Sequence, residues 1–183
     1  MTYKILSYGP SLSDYKKDHC PTMGVNHIFK FQETDYLVVI DHITTFDQWK
    51  LDVIFKSTPK LFLSRTDDWQ GNVPNFKQIN LFGKTLLPEN VGNLESIDDP
   101  KQIPYSNNTP FVACILAYHM GAKNIVMYGV DFGDDYEEKH PGAFAIAMRD
   151  FTNLNTKLNE RGCKLFVSSN KSRLSEVIPT FSK

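Results

Sequence analysis

The chain has 183 residues, 41% of them hydrophobic and 22% charged, with a formal net charge of −1. This balance is that of a globular protein, so it excludes a disordered chain and a strongly basic protein that would bind nucleic acid or an anionic membrane through its overall charge. No apolar run reaches the roughly 18 residues that a membrane helix needs, so we expect a cytoplasmic protein.

The three cysteines also bear on the class of protein. Cys20, Cys114 and Cys163 are too few and too far apart for a disulfide framework, and none belongs to a zinc-binding pattern. We therefore expect no disulfide and no structural metal. The length suits one domain, which we place over residues 1–183.

Short apolar runs alternate with turn residues along the first part of the chain. We predict strands at 1–6, 24–29, 36–40 and 60–64, a helical turn at 12–17 and a weak helix at 44–55. The run 36–40 is apolar throughout, as is typical of a central parallel strand that is covered on both faces. Residues 66–108 contain many Gly, Pro, Asn and Asp residues, which predict an irregular excursion with one strand near 76–81.

The pattern becomes clearer from residue 109 onward. A helix is predicted here by Thr109 as the N-cap, Pro110 in the first turn and Gly121 at the end. A strand at 123–130 follows, then a polar acidic loop at 134–140, a long amphipathic helix that begins at Pro141, a strand at 163–167 and a short closing helix at 174–178. The alternation predicts an α/β, Rossmann-like, mostly parallel sheet with helices on both faces.

The residues that follow the predicted strands are small, polar or titratable. In open α/β sheets, ligands bind beyond the carboxyl ends of the strands. The loops there contain Ser7 to Ser11, Asn26-His27, Asp41-His42, Asp131 to His140, and Ser168 to Asn170. Ser106 to Thr109 opens the best-defined helix, whose free amides and dipole favour an anion such as a phosphate. A plain helix cap with solvated neighbours is the alternative.

Several single residues in these loops have two interpretations. Gly9 forms a glycine turn after the first strand, but the segment is neither GxGxxG nor a P-loop, so it can be an ordinary turn. Asp41 and Asp131 end apolar strands, where a carboxylate can bind ribose hydroxyls or a metal, or cap a turn. His140 precedes a proline-initiated helix and can act as a general acid or base near pH 7, or be a surface histidine.

A family resemblance rests on short motifs in a shared order. Gly9-Pro10-Ser11-Leu12 resembles the Gly-Pro-Ser-Leu motif of bacterial CMP-sialic-acid sialyltransferases and of the motility-accessory-factor glycosyltransferases, which share a domain with archaeal 6-hydroxymethylpterin pyrophosphokinases. Four further segments are similar to later motifs of these families: Gly24-Val25-Asn26, the strand that ends in Asp41, Asn108-Thr109, and Gly129-Val130-Asp131-Phe132. His140 stands at a spacing after Asp131 that resembles the motility family.

The resemblance implies a Rossmann-like fold that binds a CMP-type nucleotide. It places the Tyr8-Gly9-Pro10-Ser11 loop near phosphate, Asn26 and Asp41 near ribose or base, and Asn108 and Thr109 near phosphate or cytosine. His140 would be the general base, and Asp131 and Phe132 would line the site. Three positions differ from the families: Tyr8 stands where Asn or Ser is usual, Asp41 where the sialyltransferases have Asn, and Thr109-Pro110 where Ser or Gly-Ser opens the helix.

Three functional hypotheses follow. The first is a glycosyltransferase that uses a CMP-activated, sialic-type sugar, with a nucleotide sugar as its partner. The second is a pyrophosphokinase-like enzyme that needs Mg²⁺, held by Asp41, Asp131 or the Asp134-Asp135 pair. The third is a non-catalytic nucleotide-binding module, of the kind that a phage or an accessory system can encode.

Overall fold

The computed structural model describes residues 1–82 and 92–182. Its main sheet has seven strands: β1 (Thr2–Leu6), β2 (Thr22–Val25), β3 (Tyr36–Val38), β4 (Leu61–Ser64), β5 (Phe76–Gln78), β8 (Asn124–Tyr128) and β9 (Lys164–Val167). A small second sheet pairs β6 (Leu81–Phe82) with β7 (Ile103–Pro104). The helices are α1 (Gln48–Phe55), α2 (Thr109–His119), α3 (Asp134–Lys139) and α4 (Pro141–Glu160).

The strand order of the main sheet is β5-β4-β3-β2-β1-β8-β9, and every pairing in it is parallel. From β1 the chain moves outward to β5 in one direction and, after α2, from β8 to β9 in the other. The order therefore reverses between β1 and β8. This point in an open α/β sheet is where the two following loops separate and leave a crevice for a ligand.

Apolar side chains cover both faces of the sheet because successive strand residues point to opposite sides. On one face, Ile5, Met23 and Ile125 pack with residues of α2 and α4, Phe111 and Phe151 among them. On the other face, Leu6, Leu37 and Val126 pack with Ile54 of α1 and with Trp69. The predicted α/β sheet with helices on both faces is confirmed.

The first half of the chain differs from the prediction in its connections. The predicted helical turn at 12–17 is a 3-10 helix at Pro10–Asp14, and the helix predicted at 44–55 is a 3-10 turn at Ile43–Thr45 followed by α1. The strand predicted at 24–29 spans only Thr22–Val25 and is followed by a 3-10 turn at Ile28–Lys30. Asn26 ends that strand because its φ of 52° is left-handed and cannot continue an extended backbone.

The second half needs three corrections. Asn108, not Thr109, is the N-cap of α2, and no side chain caps that helix. The loop predicted at 134–140 is the helix α3, and the closing helix predicted at 174–178 is a 3-10 helix at Arg173–Glu176. The predicted excursion at 66–108 contains a 3-10 turn at Asp67–Trp69 and strands β5, β6 and β7, while residues 83–91 lie outside the described part.

Within residues 1–82 and 92–182, none of the helices combines the length and the apolar character needed to cross a membrane.

Candidate functional site

A cleft of about 380 Å³ opens at the carboxyl end of the sheet, above the point where the strand order reverses. The loops that follow β1, β2, β3 and β8, together with the start of α2, line it. Its volume falls within the range of small-molecule sites. The cleft is lined by Ser7, Tyr8, Gly9, Pro10, Val25, Asn26, Asp41, Asn107, Asn108, Thr109, Pro110, Gly129, Val130, Asp131, Phe132, Gly133 and Tyr136.

The loops after β1 and β8 are fastened to each other by buried hydrogen bonds. The amide of Ser11 donates to Oδ2 of Asp131 over 2.7 Å, and the Ser11 hydroxyl donates to Oδ1 of the same carboxylate. The Ser11 hydroxyl also accepts a bond of 2.9 Å from the amide of Gly129. Because both oxygens of Asp131 accept bonds from Ser11, this carboxylate holds the two loops together.

Two glycines allow this close approach. The amide of Gly9 donates to the carbonyl of Gly129 over 2.9 Å. A Cβ atom at Gly129 would overlap the carbonyl of Ser7, and one at Gly9 would lie 2.6 Å from Oδ2 of Asp131. Gly129 also has a φ of 70°, a left-handed value that glycine adopts without a steric cost. Side chains at these positions would force apart the two loops that form the wall of the cleft.

Two residues of the cleft other than glycine have left-handed backbones. Asn26 has a φ of 52° and Phe132 a φ of 46°. Asparagine tolerates this region, but for a bulky residue such as phenylalanine it is strained. The ring of Phe132 contacts Tyr136 and Phe151 at centroid distances of 5.2 and 6.1 Å. Strain of this kind is concentrated at binding and catalytic sites, where surrounding contacts maintain it.

The amino terminus of α2 points into the cleft through Asn108, Thr109 and Pro110. No side chain caps the helix. Pro110 has no N–H, and the amide of Phe111 donates to the carbonyl of Asn108 over 3.0 Å. In the first turn, the amide of Thr109 therefore remains without a hydrogen-bond partner among the described residues. The Thr109 hydroxyl lies 3.4 Å from Oδ1 of Asn26, which joins the helix to the end of β2. The amide and hydroxyl of Thr109, at the positive end of the helix dipole, are suited to bind an anion.

Asp41 lines the cleft just beyond the end of β3. Its side chain makes no hydrogen bond within the described residues, whereas its carbonyl accepts a bond of 3.1 Å from the Trp69 indole. Burial raises the pKa of the Asp41 carboxyl, and the positive charge of Arg65 opposes that shift. The Arg65 side chain is held by a bond from its Nε to the carbonyl of Ile40. Asp41 is thus an unpaired acceptor in a fixed position.

Two phenols, Tyr8 and Tyr136, also line the cleft. Burial raises the pKa of the Tyr136 phenol, and the interaction with Tyr8 raises it further. Tyr136 therefore remains protonated at neutral pH and can donate a hydrogen bond. The sequence analysis placed this residue in the candidate loop Asp131 to His140 without singling it out, and the structure places it in α3.

His140 is outside the lining of the cleft, directly beyond α3. Its side chain is exposed, and its ring centroid lies 5.4 Å from that of Tyr136. Its amide donates to the carbonyl of Tyr136 over 2.9 Å, which fixes the backbone at the start of α4. The structure therefore places the candidate base next to a residue of the cleft but at the surface.

Most of the binding residues selected from the sequence come together. Nine of them line the cleft: Tyr8, Gly9, Pro10, Asn26, Asp41, Asn108, Thr109, Asp131 and Phe132. Ser11 is behind the cleft wall, since it is buried and bonded to Asp131. The rule that ligands bind beyond strand ends selected the loops that contain Ser7, Gly133 and Tyr136, but these lining residues were not singled out.

The carboxylates near the cleft differ in whether they are free to bind a metal ion or a ligand. Asp131 is bonded to Ser11, and Asp134 accepts a bond of 2.9 Å from Arg173. Among residues 1–82 and 92–182, no group of three or more His, Cys, Asp or Glu side chains has a metal-binding arrangement.

The fold is similar to that of solved sialyltransferases. The chain matches the sialyltransferase CstII from Campylobacter jejuni in complex with cytidine-5′-monophosphate, with a TM-score of 0.58 and 15% identity over 100% of this chain and 85% of that one. A CST-II structure with a trisaccharide acceptor and CMP matches with a TM-score of 0.57 and 15% identity, over 98% and 86% of the two chains. The apo form of an α-2,3-sialyltransferase from Campylobacter jejuni gives 0.58 and 14%, over 99% and 80%.

No protein-family model matches the chain. No curated protein matches it either. At the identities found, the likeness to the sialyltransferases establishes a shared fold.

Proposed function

We propose that the cleft binds a cytidine nucleotide and that the protein transfers an acidic, sialic-type sugar from a CMP-activated donor to an acceptor hydroxyl. The observation that carries the proposal is the meeting of five segments at one crevice, where the strand order reverses. The shared fold with sialyltransferases that were solved with CMP supports the choice of nucleotide.

The phosphate of the donor would lie at the start of α2. The amide of Thr109, which has no hydrogen-bond partner in the described residues, and the positive end of the helix dipole favour a negative charge there. The hydroxyls of Tyr8 and Tyr136 border the same cleft and can donate hydrogen bonds to phosphate oxygens. No lysine or arginine lines the cleft within the described residues, so neutral donors would stabilise the leaving phosphate.

The nucleoside would extend towards the ends of β2 and β3. Asp41 has an unpaired carboxyl there, which can accept hydrogen bonds from ribose hydroxyls. Asn26 is fixed by its left-handed backbone and by its contact with Thr109, so its amide is held at the same end of the cleft. Side chains held in this way lose little conformational freedom when the ligand binds.

The transfer step would use His140 as the general base. The imidazole accepts the proton of the acceptor hydroxyl while that oxygen attacks the anomeric carbon of the sugar. The bond between the anomeric carbon and the phosphate oxygen breaks, and CMP leaves with the electron pair. The exposed position of His140 beside Tyr136 lets an acceptor approach from solvent.

Nucleotide binding is tested by thermal unfolding with CMP, CDP, CTP, AMP, ATP, GTP and NAD. A ligand present at a hundred times its dissociation constant stabilises the folded state by about 2.7 kcal/mol. We expect the largest rise in melting temperature with a cytidine nucleotide. A larger rise with ATP or NAD would contradict the assignment.

The role of His140 is tested by His140→Ala with a CMP-sialic acid donor. We expect turnover to be lost while the affinity for CMP stays the same, because the side chain is outside the cleft lining. His19→Ala is the matched control, since His19 is exposed and precedes β2 at the opposite edge of the sheet. Normal turnover by His140→Ala would exclude histidine 140 as the base.

The exposed position of His140 is the observation that favours a second candidate, a nucleotide-binding module without catalysis. Tight CMP binding with no turnover of any donor would support that candidate. The pyrophosphokinase hypothesis needs Mg²⁺, for which Asp41 is the cleft carboxylate without a hydrogen bond in the described residues. Activity that is abolished by a chelator would favour it, and full activity in a chelator would exclude it.

A further inference from the structure

A group of exposed aromatic side chains lies next to the cleft. Five large hydrophobic side chains are exposed among the described residues, and Tyr8, Phe31 and Trp49 are three of them, with 52, 55 and 44% of their surface accessible. These three are joined through His27 and Lys30, and we call the five residues the aromatic ledge. Exposed apolar surface that is contiguous, rather than scattered, marks an interaction site.

The rings of the ledge form a continuous series that begins in the cleft. Tyr8 lines the cleft, and its ring centroid lies 4.4 Å from that of His27. His27 contacts Trp49 edge-on at 5.1 Å. The Nζ atom of Lys30 then lies 4.5 Å from the centroid of the Trp49 ring and 5.6 Å from that of Phe31. The ledge therefore extends the cleft outward along the surface.

The ledge carries one cation that is available for an anionic ligand. Lys50 also approaches Trp49, but it forms an ion pair of 2.8 Å with Asp47. Lys30 has no carboxylate within ion-pair distance among the described residues, and its contacts are with the two rings. Burial, together with Lys50 and Lys30, lowers the pKa of His27, so this buried imidazole is neutral at pH 7.

We propose that the aromatic ledge binds the acceptor, and that the acceptor is a saccharide with an acidic group. The C–H face of a sugar ring packs on the electron-rich face of an aromatic ring, and Lys30 can form a charge-assisted hydrogen bond with a carboxylate or phosphate. The rings of Tyr8, His27 and Trp49 are held in place by one another, so these side chains lose little entropy on binding. The identification of the bound saccharide as the acceptor rests on the proposed function.

An anionic membrane is the other surface that aromatic and basic residues suit. Recognition of such a membrane commonly uses a cluster of about four to eight lysine or arginine residues. The ledge offers Lys30 alone, and the net charge of the chain is −1. A saccharide that reaches from the ledge into the cleft through Tyr8 is therefore favoured.

Tryptophan fluorescence tests the proposal without an activity assay. The chain has two tryptophans, of which Trp69 is fully buried and Trp49 is exposed, so iodide quenches mainly Trp49. We expect sialyllactose to protect Trp49 from iodide, lactose to protect it much less, and vesicles of phosphatidylcholine and phosphatidylserine to leave it unprotected. Protection by the vesicles alone, equal protection by both sugars, or no protection by sialyllactose would overturn the proposal.

Variants of the ledge identify the residues responsible. Lys30→Ala should weaken the protection by sialyllactose about tenfold, since a charge-assisted hydrogen bond is lost, and Lys30→Arg should retain it. Phe31→Ala should also weaken it, whereas Lys56→Ala, an exposed lysine at the end of α1, should not. Equal losses in Lys30→Ala and Lys56→Ala would refute the role of Lys30.

CMP binding, measured by thermal unfolding, separates this proposal from the proposed function. If CMP binds and sialyllactose does not protect Trp49, the ledge proposal is wrong and the nucleotide site stands. If sialyllactose protects Trp49 and no cytidine nucleotide binds, the ledge is a saccharide site and the proposed function is wrong. In an active enzyme, Phe31→Ala should raise the KM for an acidic acceptor and leave the affinity for CMP unchanged.

Discussion

The two sides of the cleft differ in how their polar groups are used. On the side formed by the loops after β1 and β8, Ser11, Asp131, Gly9 and Gly129 bond to one another in a closed set. On the side formed by the ends of β2 and β3, the carboxyl of Asp41 has no hydrogen-bond partner in the described residues, and Nδ1 of His27 is buried without one.

This difference separates the residues that keep the shape of the site from those that remain available for a ligand. A buried polar group without a partner costs free energy, so a fold keeps one only where something else satisfies it or where function requires it. Substitutions on the β1–β8 side should therefore change stability, and substitutions on the β2–β3 side should change binding.

The largest effect on stability should come from Gly129→Ala. The left-handed backbone costs a residue with a side chain about 1–2 kcal/mol, and the overlap with the carbonyl of Ser7 adds about 1–3 kcal/mol. Gly121→Ala is the matched control, because Gly121 also has a positive φ but a Cβ there meets no atom within 4 Å. Urea unfolding measures both, and an equal loss in the two variants would show that the loops do not restrict position 129.

Ser11→Ala should have the next largest effect. It removes the hydroxyl that bonds to Asp131 and accepts from the amide of Gly129, and it leaves both groups buried without that partner. We expect a loss of about 1–3 kcal/mol in the free energy of unfolding. Ser13→Ala removes an exposed hydroxyl in the same 3-10 helix and should have almost no effect. Similar values for the two variants would refute the role of Ser11 in joining the loops.

Asp41→Asn should increase stability, whereas the two preceding variants decrease it. Because burial raises the pKa of this carboxyl, the charged form is penalised in the folded state above its unfolded pKa near 3.9. The variant should therefore gain on the order of 0.5–1 kcal/mol at neutral pH. Because Asn keeps an oxygen that accepts hydrogen bonds, Asp41→Ala is the variant that should lower the affinity for CMP. Unfolding and calorimetric titration with CMP test the two effects, and a less stable Asp41→Asn variant would contradict the account of Asp41.

The part of the fold that sequence could predict is the part with local signals. The helix from residue 109 to Gly121 and the helix from Pro141 each have a proline in the first turn, a glycine just beyond the end and apolar spacing within their own sequence. In contrast, α3 has an acidic sequence with little apolar periodicity, and Arg173, from the last part of the chain, forms ion pairs with its Asp134 and Glu137. Contacts between positions so far apart are not visible in local sequence.

In the candidate site, too, local sequence predicts some features and distant contacts determine others. The rule that ligands bind beyond the carboxyl ends of parallel strands selected nine residues that line the cleft. It could not separate Ser11 from its neighbours, because Ser11 and Asp131 are 120 positions apart and only their contact shows that Ser11 faces away from the ligand. The left-handed backbone of Phe132 is likewise not predictable from residue type, because bulky residues rarely adopt it.

The smallest effect should be a pH dependence that arises on the β2–β3 side, from His27. Burial is the main cause that lowers its pKa in the folded state, with Lys50 and Lys30 adding to it. Between that lowered pKa and the unfolded value near 6.5, the unfolded chain binds more protons, so stability should fall as the pH drops below about 6.5.

His27→Phe keeps a ring between Tyr8 and Trp49 but cannot be protonated, so it should lose less stability than the wild type between about pH 7.5 and about pH 5.5. Some acid sensitivity should remain in the variant, because burial also lowers the pKa of His119. Urea unfolding at the two pH values measures the difference, and an unchanged loss in His27→Phe would show that the β2–β3 side tolerates protonation of His27 without cost.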